Sequence, residues 1–306
     1  MQADHHDLMI VGTGPAGLTA AVHARRKGLS TVVFGDMPGG SMYRIGPLEN
    51  FPGFSEPPAG AQCGMAMFTQ AQAAGAVMPM VRLATLSYRS DRFEGIHSNG
   101  RKVSADAALI ACGLVDETPD IPGAGLDGIS TCCVCDAPLL RGKKATVAVY
   151  GNGNDAGYNC LALSRIAQRV ILICPDPELV MDAAIEKMIR NVDGIVCRPA
   201  MRITAFHGDS SVSAVTVIES GDSTATFSLD GVFLAIGRKP DLKFLKATVS
   251  TDAMGFIRTD AQLMTSIPGL FAAGDVRDTD LRQVITACAD GARAAGSAAT
   301  FLEERS

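Results

Sequence analysis

Four consecutive apolar residues, Leu8-Met9-Ile10-Val11, run straight into Gly12-Thr13-Gly14-Pro15-Ala16-Gly17. A short apolar run bounded by glycine reads as a buried strand. The stretch from Leu18 to Lys27 then reads as a helix, and Ser30-Thr31-Val32-Val33-Phe34 as a second strand. The same order of apolar and glycine positions returns later. Ala145 to Tyr150 is apolar, Gly151-Asn152-Gly153-Asn154-Asp155-Ala156 follows, and a predicted helix from Gly157 to Gln168 leads to a strand over Arg169 to Ile173. Two further apolar runs end in glycine: Ala107-Ala108-Leu109-Ile110-Ala111-Cys112-Gly113, and Gly231-Val232-Phe233-Leu234-Ala235-Ile236-Gly237, which continues into Arg238-Lys239-Pro240.

Strand, Gly-x-Gly-x-x-Gly, helix and strand within about 30 residues form the unit that binds a dinucleotide. Gly12 permits the tight turn, Gly14 lets the backbone approach a pyrophosphate, and Gly17 lets helix and strand pack closely. Pro15 and Ala16 start the helix, whose free N–H groups and positive dipole end face the phosphates. The acid that should close the second strand on a ribose is displaced. Gly35 stands there and Asp36 follows, so Asp36 is either the ribose ligand or an ordinary loop carboxylate. The expected fold is α/β, with two nucleotide-binding, three-layer Rossmann-like domains and the second inserted into the first. The glycine-ended strands place the crossings near 115 and 242. Residues 1–115 and 243–306 would then form the first domain, and 116–242 the inserted one. Two such sites in one chain usually serve electron transfer between dinucleotides.

A length of 306 residues suits two domains at roughly 100–200 residues each. With 47% hydrophobic and 19% charged residues, the chain can bury a substantial core. The net charge of −5 and the lack of a long Lys/Arg block argue against nucleic acid and anionic membranes as partners. No apolar run reaches the ~18 residues of a membrane span. Met1 to His6 lacks the features of a secretory signal, which leads to the expectation of a cytoplasmic protein.

Nine cysteines scattered through such a chain read as thiols, not as a secreted disulfide framework. Cys132 and Cys135 form Cys-x-x-Cys just before the second glycine loop, followed by Asp136. Sulfurs at that spacing at a helix start can close a redox disulfide, because the helix N-terminus favours the thiolate. Asp136 could exchange the proton a departing thiol needs. Zinc would need two more ligands at sensible spacing, and neither a second Cys-x-x-Cys nor His5, His6, His23, His97 and His207 supply them. Cys133 reads as a bystander. The other six cysteines read as buried small hydrophobes.

Taken together, these motifs resemble the low-molecular-weight thioredoxin reductase family over nearly the whole chain. The resemblance rests on the first glycine loop, Cys132-Cys133-Val134-Cys135-Asp136, the second glycine loop, Glu49-Asn50-Phe51-Pro52-Gly53-Phe54, and the tail Phe271-Ala272-Ala273-Gly274-Asp275-Val276 followed by Arg282-Gln283-Val284. It implies FAD in the first domain, lined by Gly39, Gly40, Ser41, Asn50, Cys112 and Gly113. Gly274 and Arg282 would also line the FAD, Asp275 would hydrogen-bond the ribityl chain, and Gln283 and Val284 would meet the isoalloxazine edge. Cys135 would be the thiol nearest the flavin and Cys132 the one that attacks a partner disulfide. A homodimer and a thioredoxin-like protein or small disulfide as partner are expected. The larger glutathione-reductase-like relatives are excluded, since the first domain has no redox Cys pair and the C-terminus no catalytic His.

The second glycine loop departs from that family. Where its members carry His-Arg-Arg to hold the 2′-phosphate of NADPH, this chain has Cys174-Pro175-Asp176-Pro177. Asn152 replaces the middle glycine, and Tyr158-Asn159 stand where two Glu are usual. The expected second site comprises Gly151, Asn152, Gly153, Asn154, Asp155, Ala156, Tyr158 and Asp176, with NADPH disfavoured. Three readings stay open: NADH or another dinucleotide without a 2′-phosphate, a second FAD among them; no nucleotide, with electrons from a protein such as ferredoxin; or a reversed reaction, in which a dithiol is oxidised at the expense of oxygen. A flavin redox sensor without turnover is the alternative outside enzymes.

Overall fold

A computed structural model describes residues 4–219 and 223–305. The chain divides into two compact units, Met1–Val115 with Lys239–Ser306, and Asp116–Arg238. Before the first crossing come β1 (Asp4–Val11), α1 (Pro15–Arg26), β2 (Thr31–Phe34), α2 (Gly60–Ala73), β3 (Leu83–Arg89), β4 (Arg92–His97), β5 (Lys102–Ile110) and, at the crossing, β6 (Val115–Asp116). The second unit carries β7 (Ile129–Ser130), α3 (Cys133–Asp136), β8 (Thr146–Gly151), α4 (Asn154–Leu163), β9 (Arg169–Ile173), α5 (Ala183–Arg190), β10 (Ile195–Arg198), β11 (Met201–His207), β12 (Ala214–Glu219), β13 (Thr224–Ser228) and β14 (Gly231–Ala235). After β15 (Arg238–Lys239) at the return crossing, the first unit closes with β16 (Leu270–Ala272) and α6 (Val284–Glu303).

In the first unit, β2, β1, β5 and β16 lie parallel, β4 adds antiparallel to β5, and β3 adds antiparallel to β4. Alternate strand residues face opposite sides of a sheet, and both sides are filled here. Leu8, Ile10, Val33, Ala107 and Leu109 pack with Leu18, Ala20, Ala21 and Ala24 of α1 and Ala294, Ala295 and Ala298 of α6. Met9, Val11, Val32, Phe34, Ala108 and Ile110 pack with Leu86, Phe93, Val249 and Ile257. That double burial explains why β1 reads as an unbroken apolar run. The small residues of α6 let it approach α1 closely, and a Cβ on Gly291 would collide with the Ala16 carbonyl oxygen.

The second unit repeats this plan with a five-stranded parallel sheet, β10-β9-β8-β14-β7. An antiparallel sheet, β11-β12-β13, packs Ile203, Val215 and Val217 against Ala148, Ile171 and Val232. Neither this sheet nor the β3–β4 hairpin was expected from the sequence.

Several boundaries differ from the sequence expectation. The inserted unit ends at Arg238, not 242. Arg238 is tied to the second unit by Asp116 at 3.2 Å and Asp155 at 3.0 Å, whereas Leu242, Phe244 and Leu245 pack into the first unit's core. Helix α1 begins at Pro15 because proline, lacking an N–H, is well placed in a first turn. Helix α4 ends at Leu163 instead of Gln168. The Leu163 carbonyl accepts from Ile166 and Ala167 N–H at 2.9 and 2.8 Å, turning the chain so that Gln168 N–H reaches Ala145 O.

One buried ion pair braces the end of the first unit. Asp290 on α6 is 6% exposed and accepts from Arg277 Nε at 2.5 Å, Arg277 Nη2 at 3.0 Å and the Gly274 N–H at 3.1 Å. Removing one partner strands the other charge. Asp290→Ala is expected to destabilise the protein by about 3–5 kcal/mol, read from the urea midpoint; a midpoint within error of the parent would contradict this role.

Candidate active site

The first glycine loop is shaped by backbone packing. Gly12 sits at φ +126°, and a Cβ there would collide with the Ala111 carbonyl oxygen, so the loop lies directly against the end of β5, beside Cys112 and Gly113. Gly14, the N-cap of α1, has nothing within 4 Å of where its Cβ would be. A helix N-terminus with open space beside its glycine, and no acid in its first turn, is a cradle for a pyrophosphate. The residues present therefore fit the diphosphate of FAD. Gly40 presses on the backbone of Gly14, and Gly274 on Ala16, so both flank the cradle. Ser41 follows in a short helical turn and is exposed.

Thr13 accounts for the displaced acid. Its hydroxyl donates to the Met37 carbonyl at 2.7 Å, and any side chain at position 35 would collide with it. Asp36 instead pairs with Arg82 at 2.6 Å, both exposed. At the other end, Arg282 stacks on Phe256 at 4.0 Å, with Nε 3.4 Å from the Asp275 carbonyl. Gln283 caps α6 reciprocally with Thr286, and Val284 packs with Met42, Leu48 and Phe51, which ties the exposed Asn50 turn to the start of α6.

In the second unit Cys132 and Cys135 are disulfide-bonded, with Cα atoms 5.3 Å apart. Cys132 is the N-cap of α3, and its sulfur accepts the Cys135 N–H at 3.2 Å. The two sulfurs are not equivalent: Cys132 is 8% exposed, whereas Cys135 is exposed. Asp136, in the same helical turn, accepts from Ser130 Oγ at 2.5 Å. A sulfur at a helix N-terminus with a donated N–H is the better thiolate and leaving group.

The chain thus combines a Cys-x-x-Cys disulfide with two glycine turns, each leading from a strand into a helix. Residues 6–291 match the family model for pyridine nucleotide-disulphide oxidoreductases. The chain is 35% identical to the thioredoxin reductase of Treponema pallidum, with 99% of each chain covered. Among solved structures, the thioredoxin reductase of Lactococcus lactis superposes with a TM-score of 0.91 at 30% identity, covering 98% of this chain and 99% of that one. That of T. acidophilum gives 0.88 at 27%, with 99% of both chains covered. The chain belongs to the thioredoxin reductase family. It is a flavin-dependent disulfide oxidoreductase, and the low-molecular-weight thioredoxin reductase architecture of two Rossmann-like units is the one observed.

Within this thioredoxin reductase fold the second glycine loop is dressed differently from the first. Asn152 Nδ2 donates to Asp176 Oδ2 at 2.9 Å and to the Glu178 carbonyl at 3.0 Å. Its Oδ1 accepts from Gly153 N–H at 2.9 Å and Val180 N–H at 2.8 Å. Asn154 makes a second clasp, donating to Asp182 Oδ2 and accepting the Asp182 N–H. The segment 176–182 is thus held across the loop, and the Val180 carbonyl is the atom nearest to where a Gly153 Cβ would lie. Asp155 lies in the first turn of α4 and is paired with Arg238. Ala156 is fully buried, and Tyr158 is exposed.

The remaining thiols are quiet. Burial pushes Cys133 up to about 11 and Cys112 up to about 12, and it raises Cys63, Cys160, Cys174, Cys197 and Cys288 as well. Cys63, Cys160 and Cys174 are buried, as expected, whereas Cys112, Cys197 and Cys288 are only half-buried. Sequence reading missed Ser130, Thr13 and the Arg277–Asp290 pair, whose roles arise from contacts that no motif spacing encodes.

With a value near 11, about one Cys133 in a thousand is thiolate at pH 8. After reduction, iodoacetamide at pH 8 is expected to label the redox pair Cys132 and Cys135 and to spare Cys133 and Cys112, as read by peptide mass spectrometry. Labelling of Cys133 as fast as Cys135 would contradict the burial argument.

Proposed function

We propose that this enzyme reduces the disulfide of a thioredoxin-like protein through Cys132 and Cys135, and that its second glycine loop does not take NADPH. The observation that carries the first part is the disulfide at the N-cap of α3 with Asp136 in the same turn. FAD, when held at the first loop, would supply the two-electron chemistry. An electron pair arriving at the exposed Cys135 sulfur breaks the S–S bond, and Cys132 departs as the thiolate held by the Cys135 N–H. Asp136 handles the proton, so that disulfide, two electrons and two protons become two thiols. Cys132 then attacks the partner disulfide, giving a mixed disulfide that Cys135 resolves. The names of the relatives support thioredoxin as the partner class.

Charge around the second loop supports the exclusion of NADPH. Asp176 and Pro175 stand where a 2′-phosphate would need cations, Asp155 adds a carboxylate at the helix N-terminus, and the Arg238 guanidinium is engaged by Asp116 and Asp155. Losing two charge-assisted Arg–phosphate bonds costs roughly a hundredfold or more in affinity. Asp176, oriented by Asn152, is suited to accept from a free 2′-hydroxyl instead.

An anaerobic titration of the flavin with NADPH, NADH and reduced ferredoxin in turn tests this. Micromolar NADPH is expected to leave the flavin band largely unbleached; fast, saturable bleaching would overturn the exclusion. Cys135→Ser is expected to abolish disulfide turnover while the flavin stays bound, and normal turnover in that variant would remove the Cys pair from the mechanism.

A further inference from the structure

We infer that Ser130 is a positioning residue for the proton-handling carboxylate, holding Asp136 in place within the turn of the Cys pair in both of its protonation states. This rests on Cys132–Cys135 being the working disulfide. Ser130 ends β7, where it is in register with Phe233 of β14, so its backbone is fixed by the sheet. Its side chain is 8% exposed and has three partners within reach. The hydroxyl lies 2.5 Å from Asp136 Oδ2, accepts the Cys132 N–H at 2.9 Å, and stands 3.3 Å from the Cys132 carbonyl.

A hydroxyl has one proton to donate and two lone pairs. When Asp136 is ionised it can only accept, so Ser130 donates to it while accepting from Cys132 N–H. When Asp136 is protonated it donates to Ser130, and the Ser130 proton turns to the Cys132 carbonyl. Both arrangements satisfy every group without moving a heavy atom. The carboxyl can therefore give up and regain a proton without leaving its place in the turn that carries both sulfurs. Because Ser130 also grips the backbone of Cys132, the acid and the departing sulfur share one anchor.

The opening of the disulfide by dithiothreitol tests this without requiring a physiological partner. A dithiothreitol thiolate attacks Cys135 Sγ, the S–S bond breaks, and Cys132 leaves with the electron pair and takes a proton. The second dithiothreitol thiol then releases Cys135, so that dithiothreitol is oxidised and the protein disulfide reduced. The rate is followed by acid quench, alkylation and mass spectrometry in the full-length holoenzyme. Proton handling by a positioned side chain contributes about 10²–10⁴-fold, so Asp136→Asn is expected to slow opening about a hundredfold and Ser130→Ala about tenfold. If Ser130 acts through Asp136, the two effects do not multiply, and the double variant opens no more than about twofold slower than Asp136→Asn. Ser130→Thr, which keeps the hydroxyl, is expected to restore most of the parent rate.

A Ser130→Ala rate equal to the parent, or a tenfold loss that persists on top of Asp136→Asn, would overturn the inference; the second result is that of a purely structural residue. The cycle decides even if threonine does not fit. Should the coupling appear while the parent protein fails to pass electrons from flavin to disulfide, the proposed function is at fault and the role of Ser130 stands.

Discussion

The molecule depends on one constraint, met twice: a glycine turn pressed so tightly on the end of the neighbouring strand that no side chain fits between them. Gly12 meets the Ala111 carbonyl and Gly151 meets the Ala235 carbonyl in the same way. In each unit this fixes where the first strand stops, where the helix starts and which way its N–H groups point. The glycine turn and the end of the neighbouring strand, β5 in one unit and β14 in the other, are thereby locked together. A methyl group at either turn would force strand and loop apart, and the helix N-terminus would lose its aim.

From the same corner the two units diverge in electrostatics. Helix α1 presents Pro15, Ala16 and Gly17, has no acid in its first turn and carries basic residues in its last. Its dipole is unopposed where a diphosphate would lie. Helix α4 has Asp155 in its first turn and no basic residue in its last, and two Asn side chains strap a neighbouring segment over its glycine loop. The backbone plan is shared, and the two loops differ in the side chains that the plan leaves free.

What could be read from the sequence was local. Glycine spacing between apolar runs located both loops, and Cys-x-x-Cys-Asp located the redox turn, because in each case the chemistry sits within six consecutive residues. Contacts between distant residues were not legible. Gly35 takes its meaning from Thr13, a residue on another turn. Arg238 joins the second unit through Asp116 and Asp155, which displaced the expected boundary at 242. The β11–β13 sheet has short strands with alternating burial, and its pattern is faint beside the fully buried parallel strands.

The asymmetry of the disulfide gives the site its direction. A symmetric, equally exposed pair would let a nucleophile or an electron donor enter at either sulfur. Here burial closes one sulfur and the helix N-terminus stabilises negative charge on that same one. Entry at Cys135 and departure of Cys132 are therefore favoured by two independent effects, access and leaving-group stability. Asp136 and the backbone of Cys132 share one partner, the Ser130 hydroxyl, which lies on Asp136 Oδ2 and accepts the Cys132 N–H. Access at one sulfur and a donated N–H at the other thus set a single direction of opening through the turn.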